Sequence, residues 1–330
     1  MTRWTGVLVL VVVLLGALGG LGSCRERAEK RGGPLRAVVT VPPLKGVLEP
    51  LMPPGSTVTI LMQPGRSEHG YEFTPSDIAQ LAGADLVVYV GLGLEGKLDE
   101  VLAKQNVPDR QVVNFAEAID LVRDDPHDHA GHGHAEDEHD HDHDHDHAVD
   151  PHLWLDPVLV DALVGELSAA LIKAAGVRGV PVESELARLD PLVRDLRERI
   201  KAVDSAWKAG LKPFEGRAIV THHNAFPRPA ERYGFKVAAV VREFESEPSP
   251  GDLAKVVDAI RAQGVKVIFV EPQYNAAAAE KIAQVAGVRV ATLDPLGDGD
   301  WFGLMQKNLD SLVSNLADGA PAPASSAEQR

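Results

Sequence analysis

Short apolar runs alternate with amphipathic stretches along most of the chain. In the first half, strand-length runs fall at Arg36–Val41, Thr57–Met62, Leu86–Val90 and Gln111–Asn114. Between them the pattern predicts helices over Leu44–Met52, from Pro75-Ser-Asp77 onward, and near Leu94–Ala103. Strands alternating with helices in this way predict a parallel sheet with crossover helices. Two longer helices follow. Over Pro157–Ala175 the residues Val158, Leu159, Leu163, Leu167 and Leu171 recur at helical spacing. From Val182 to Leu211 one stripe carries Leu186, Leu189, Leu192, Leu196, Ile200 and Val203. A helix of that length extends roughly 45 Å, about a domain's width, which suits a rigid spacer. Pro191 inside it predicts a kink or a boundary. The strand–helix alternation then resumes. Strands are expected at Arg217–Thr221, Phe235–Val241, Lys266–Val270 and Arg289–Leu293. Helices are expected at Ala225–Tyr233, Pro250–Gln263, Ala276–Ala286 and Trp301–Leu316. The fold class is α/β: two lobes, each a parallel sheet with flanking helices, joined by one long rigid helix.

Three stretches break the pattern. Residues 1–24 have a basic start at Arg3, an apolar run Val7–Leu18 and small residues before Cys24. That is the layout of a signal peptide, and the run is short for a bilayer span. Leu21-Gly-Ser-Cys24 resembles a bacterial lipobox, so Cys24 is expected to carry acyl chains that tether an exported, periplasmic or cell-surface protein to a membrane. Residues 25–35 read as a flexible tether. The second break, 124–147, holds nine histidines and ten carboxylates with little to bury. The third is an Ala/Pro/Ser-rich tail over 318–330. The expected division is an N-terminal lobe over 36–181, the linking helix over 182–211 and a C-terminal lobe over 212–317.

Length and composition agree with this picture. A chain of 330 residues exceeds one typical core, and 45% apolar with 25% charged residues is usual for a folded protein. The formal charge of −15 argues against nucleic acid, whose phosphates need Lys and Arg. Cys24 is the single cysteine, so no disulfide forms within the chain. A monomer is expected.

The candidate chemistry rests on histidine. Outside the tract the histidines are His69, His152, His222 and His223, all in predicted loops. His69, His222 and His223 follow predicted strands, as do Glu271 and Asp294, and ligands of open parallel sheets bind beyond the carboxyl ends of the strands. His152 sits on a stiff junction, Asp150-Pro-His-Leu-Trp-Leu-Asp156. Singly, each residue has a plainer reading: a surface histidine, a packed or capping His152, a surface doublet, a turn aspartate before Pro295. Jointly, imidazoles and a carboxylate beside a metal-attracting tract point to a zinc-type site. The tract itself, with His127, His129, His132, His134, His139, His141, His143, His145 and His147, is expected to gather several divalent ions weakly; a solubilising insert is the alternative.

These residues resemble a family, the zinc-binding lipoproteins of bacterial ABC importers, across nearly all of the chain beyond Cys24. Pro64-Gly-x-x-x-His69-x-Tyr-Glu-x-Thr-Pro-Ser-Asp77 resembles the first ligand loop, and Ala84-Asp-Leu-Val-Val-Tyr-Val-Gly91 the strand after it. Asp150-Pro-His-Leu-Trp-Leu-Asp-Pro157 is very similar to the second motif and is the most specific. His223-Asn-Ala-Phe226 with Arg232-Tyr-Gly-Phe235 resembles the third, and Phe269-Val-Glu-Pro-Gln273 and Leu293-Asp-Pro-Leu-Gly297 complete the set. The resemblance implies His69, His152, His223 and Asp294 as ligands of one tightly held Zn²⁺, captured between the lobes and delivered to an ABC permease for zinc uptake. Histidine at the third position and a His-rich loop before the second motif are zinc-type features. Ser67-Glu68 stands where Pro-His is common, so Glu68 could compete as an oxygen ligand. Asn224 replaces the usual aspartate. Preferring His223 to His222 rests on the motif alone. The other readings are a receptor for manganese or another divalent metal, an adhesin or metal-storage lipoprotein in which the tract is the main feature, and a zinc hydrolase with Glu271 as general base. No H-E-x-x-H helix is present to support the last, and the expectation is a binding protein, not an enzyme.

Overall fold

The structure is a computed structural model that describes residues 33–121, 149–242 and 249–317. The expected signal segment, Cys24 and its lipid, most of the tether, the His/Asp tract and the tail lie outside the described residues.

Two four-stranded parallel sheets form the frame. The first contains β1 (Arg36–Val39), β2 (Thr57–Ile60), β3 (Leu86–Tyr89) and β4 (Gln111–Asn114), in the order β2-β1-β3-β4. The second contains β5 (Ala218–Thr221), β6 (Lys236–Val240), β7 (Val267–Val270) and β8 (Arg289–Thr292), in the order β6-β5-β7-β8. The two orders are the same. Burial follows position in the sheet. Central β3, Leu-Val-Val-Tyr, is buried throughout, whereas edge β2 and edge β8 are not. A strand covered by helices on both faces has to be apolar at every residue, which is why these strands read as continuous runs and not as alternation.

Several of the helices begin at a side-chain cap. Helix α1 covers Pro42–Leu48, α2 Pro75–Ala82, α3 Leu98–Gln105 and α4 Phe115–Ala118. In α2, Thr74 and Asp77 form a reciprocal capping box ahead of Pro75. Helix α5 (Pro157–Val177) starts from Asp156, whose carboxylate accepts the Val158 N–H. Helix α6 is Val182–Leu211, 30 residues long. It runs through Pro191 without a break, so the boundary the proline predicted does not occur there. The proline removes one i→i−4 hydrogen bond, against which stands a buried stripe of Leu189, Leu196, Ile200, Trp207 and Leu211. The second sheet carries α7 (Pro227–Tyr233), α8 (Pro250–Gln263), α9 (Ala277–Ala286) and α10 (Trp301–Leu316).

Helix α6 packs against α5 on one side and α10 on the other, and α10 also packs against α1 of the first lobe. Three buried indoles tie these contacts together. Trp154 Nε1 donates to the Pro295 carbonyl at 2.6 Å, Trp301 Nε1 to the Trp154 carbonyl at 2.7 Å, and Trp207 Nε1 to the Met305 carbonyl at 3.1 Å. Gly46 of α1 lies so close to the start of α10 that a Cβ there would stand 2.5 Å from the Trp301 nitrogen. Only glycine permits that approach. The largest core cluster is accordingly continuous from Val39 and Val88 through Trp154 to Phe269 and Trp301. Among the described residues no helix is long and apolar enough to cross a membrane.

Candidate metal centre

The carboxyl ends of both sheets face the region between the lobes, and four side chains meet there. Glu68 and His69 lie in the loop after β2, His152 immediately precedes a 3₁₀ turn (Leu153–Leu155) that leads into α5, and His223 follows β5. One ligand-type atom from each of Glu68, His69, His152 and His223 lies within 4.8 Å of the other three. Three of the atoms are packed more tightly. His152 Nε2 and His223 Nε2 are 3.1 Å apart, and Glu68 Oε1 is 3.2 Å from the first and 3.3 Å from the second. The His69 ring closes the group, with centroids 5.5 Å from His152 and 5.3 Å from His223. Glu68 has no exposed surface, His152 and His223 are buried, and His69 alone is partly exposed.

The inner histidines are oriented from behind. His152 Nδ1 meets Asp150 Oδ1 at 2.7 Å, and the same oxygen accepts the His152 backbone N–H at 3.0 Å. His223 Nδ1 makes a short contact with Glu271 Oε1, which also accepts the His223 N–H at 3.2 Å. A carboxylate can only accept, so each Nδ1 carries the hydrogen and the lone pair of the neutral ring is left on Nε2. When the rings are neutral both Nε2 lone pairs face one point, an arrangement in which outer carboxylates hold metal-binding imidazoles in place. Arg228 of α7 extends the support, donating to the Asp150 carbonyl at 2.9 Å and lying 3.3 Å from its carboxylate. Sequence reasoning did not pick out Asp150. Its signal is local: an aspartate two residues before the histidine in Asp-Pro-His.

Within the buried cluster the carboxylates and imidazoles set one another's charge. Burial pushes the Glu68 carboxyl up, but hydrogen bonds from His152 and His223 outweigh this and hold it well below the usual carboxylate range. Burial disfavours charge on His223, yet Glu271 and Glu68 push it up to about 10, and His152 is raised in the same sense by Asp150 and Glu68. Glu68 Oε2 is buried and has no hydrogen-bond partner. An orphaned oxygen on a carboxylate whose other oxygen already meets two imidazoles fits a cation.

Three of the expected site residues are brought together: His69, His152 and His223. Asp294 is not in the group. Its Oδ1 accepts the Leu296 and Gly297 N–H groups at 2.9 Å each, within the turn Asp294-Pro-Leu-Gly297. Glu68, the alternative carboxylate, takes the fourth place. Glu271 stands behind His223 and outside the group. His222 also stands outside, its ring packed on Tyr274 with centroids 4.6 Å apart. Burial, with His223 and Arg242 nearby, depresses His222 to about 4. The doublet that spacing alone left open is thus separated by the strand end, which turns neighbouring side chains in opposite directions.

With the geometry in hand, comparison with known proteins is direct. The family profile described as ZnuA, zinc-uptake complex component A, periplasmic, matches residues 37–315. The chain belongs to the ZnuA family. Among curated ZnuA-like relatives, the high-affinity zinc uptake system protein ZnuA of Bacillus subtilis is 28% identical over 326 residues, covering 95% of this chain and 98% of that protein. The manganese-binding lipoprotein MntA of Halalkalibacterium halodurans is 26% identical, covering 94% and 97%. In fold, the periplasmic zinc binding protein TroA of Treponema pallidum superposes with a TM-score of 0.70 at 22% identity, covering 86% of this chain and all of that one. Membership of the ZnuA family and the paired parallel sheets fix the architecture as that of a two-lobed metal receptor.

Proposed function

We propose that this chain is an extracytoplasmic receptor that captures Zn²⁺ between its lobes through Glu68, His69, His152 and His223 and delivers it to an ABC permease. One observation carries the reading. Ligand atoms about 2.0–2.1 Å from a tetrahedral Zn²⁺ lie about 3.3 Å from one another, and His152 Nε2, His223 Nε2 and Glu68 Oε1 are 3.1–3.3 Å apart. An ion centred on them needs His69 to close as the fourth ligand, which costs a modest movement of one partly exposed loop. Three imidazoles with one carboxylate suit zinc better than manganese, which favours oxygen. Names of relatives include both metals, so the preference for zinc rests on the proposed ligand set and not on the family.

Four protein ligands leave no open position for a hydrolytic water, and Glu271, engaged by His223, is not poised as a general base. A transport role follows, not an enzymatic one. The lipobox-like Leu21-Gly-Ser-Cys24 supports export and anchoring of the chain by acyl groups on Cys24, and the histidines of 127–147 support a tract that gathers metal weakly. Competition titration with a zinc-selective chelator tests the reading. One tight site per chain that vanishes in His152→Ala is the expected outcome; tight binding that survives the substitution, or disappears on deleting 124–147, would sink it.

A further inference from the structure

The ligand loop of the first lobe has no regular structure between Gln63 and Phe73, yet it carries two of the four cluster residues. Its far end is held within its own lobe, where the Tyr71 hydroxyl sits 3.0 Å from the Leu61 carbonyl and 2.8 Å from Asp77. Its near end is held from the other lobe. The Tyr274 hydroxyl donates to Ser67 Oγ at 2.8 Å across the cleft. Ser67 Oγ in turn accepts the His69 N–H at 3.2 Å and reaches the His69 carbonyl at 3.4 Å. The Tyr274 ring packs on His222 and lies 6.2 Å from the His223 ring. One side chain of the second lobe therefore braces the Glu68–His69 loop with its hydroxyl and the His222–His223 strand end with its ring.

We propose that Tyr274 is a positioning residue, a latch that holds the Glu68–His69 loop closed over bound metal and so sets how slowly metal leaves. It is not one of the four clustered residues, and its hydrogen bond to Ser67 forms only when the two lobes are together. The latch rests on the zinc reading of the cleft. Association begins in the open cleft before the Tyr274–Ser67 bond exists, so its rate is insensitive to the hydroxyl. Departure requires the loop carrying His69, the partly exposed member, to lift away, and the bond opposes that movement.

The test is the rate at which the full chain, purified in detergent and loaded with Zn²⁺, gives up metal to excess chelator. Weak ions in the histidine tract leave in a fast phase, and the slow phase, absent from His152→Ala, reports the cleft. Tyr274→Phe removes only the hydroxyl and is expected to speed the slow phase by roughly three- to tenfold, the worth of one hydrogen bond, with the association rate within about twofold of the parent. Ser67→Ala should speed it at least as much, because the same hydroxyl also bonds the His69 N–H and carbonyl. The double variant should be no faster than Ser67→Ala alone, because the Tyr274–Ser67 bond is already gone in it. The visible absorption of the Co²⁺-loaded protein should be unchanged, since the ligand set is intact. A slow phase in Tyr274→Phe identical to the parent's, or effects of the two substitutions that add, would overturn the latch. A parent with no slow phase dependent on His152 would overturn the zinc reading and the latch with it.

Discussion

The two sheets share one strand order, and each buries a glutamate in the segment after its third strand in sequence, against a residue in the segment that follows its first. In the first lobe this glutamate is Glu95, which accepts the Thr40 hydroxyl at 2.7 Å together with the Val90 and Gly91 N–H groups at 2.7 and 3.0 Å. In the second it is Glu271, which accepts from the backbone and Nδ1 of His223. Both are 2% exposed, and burial raises the pKa of both. The difference lies in the partner. A hydroxyl and two amides consume Glu95 and close a turn. An imidazole passes the hold of Glu271 through to a second nitrogen that faces the cleft. A comparable glutamate is thus structural in one lobe and orients a candidate metal ligand in the other, because only histidine offers two nitrogens on opposite edges of one ring.

The sharpest way to break the comparison is to remove the element that makes the second lobe different. His223→Ala should lower zinc affinity more than a hundredfold, measured by chelator competition, and Glu68→Ala should do likewise; outer partners alone are worth 10–100-fold in such sites, roughly, and a ligand is worth more. Glu271→Gln keeps the ligand and loosens its support, for an expected loss of about tenfold or more. Glu95→Ala is its counterpart. It should cost about 1–3 kcal/mol of folding stability by leaving buried donors unpaired, seen as a lower denaturant midpoint, while zinc affinity measured at a permissive temperature is retained.

Protons sharpen the contrast further. The metal-free second lobe holds its charge through His223, raised to about 10. A histidine with a raised pKa stabilises the metal-free fold fully below about 6.5 and loses that contribution as pH climbs through about 10. Zinc must displace the proton, so its affinity should rise with pH through neutrality and fall on acidification. Calorimetry in buffers of different ionisation enthalpy should register proton release; none at neutral pH would contradict the protonated cluster. The smallest expected effect is that of Asp294→Asn. Because its Oδ1 is already satisfied by Leu296 and Gly297, zinc affinity should stay within about twofold of the parent, and a large loss would return Asp294 to the ligand set.

Much of this protein is local and was open to reading from the chain alone. Continuous apolar runs mark strands buried on both faces, Thr74-Pro75-Ser-Asp77 and Ser249-Pro250-Gly-Asp252 announce their helices through reciprocal caps, and the helix Val182–Leu211 needs only its stripe and its length. The motif around His152 was equally plain, since a histidine locked between Pro151 and a buried Leu-Trp-Leu turn has few conformations to choose from. The loop after β2 was harder. Gln63–Phe73 has no periodicity, so nothing local says that Glu68 is fully buried while His69 is partly exposed. That is decided by contacts from residues more than 80 positions away, His152 and His223.

By itself, then, the sequence determined the two α/β lobes, the long helix between them and the placing of His152 on a stiff junction, because periodicity, capping and stiff junctions act over a few residues. Only the tertiary structure decided which carboxylate completes the cluster, which of two adjacent histidines faces the cleft, and that Tyr274 spans it. Those choices depend on where buried charge finds a partner once two distant strand ends are brought face to face, and pairing a buried charge is a property of the packed interior that no short stretch of chain contains.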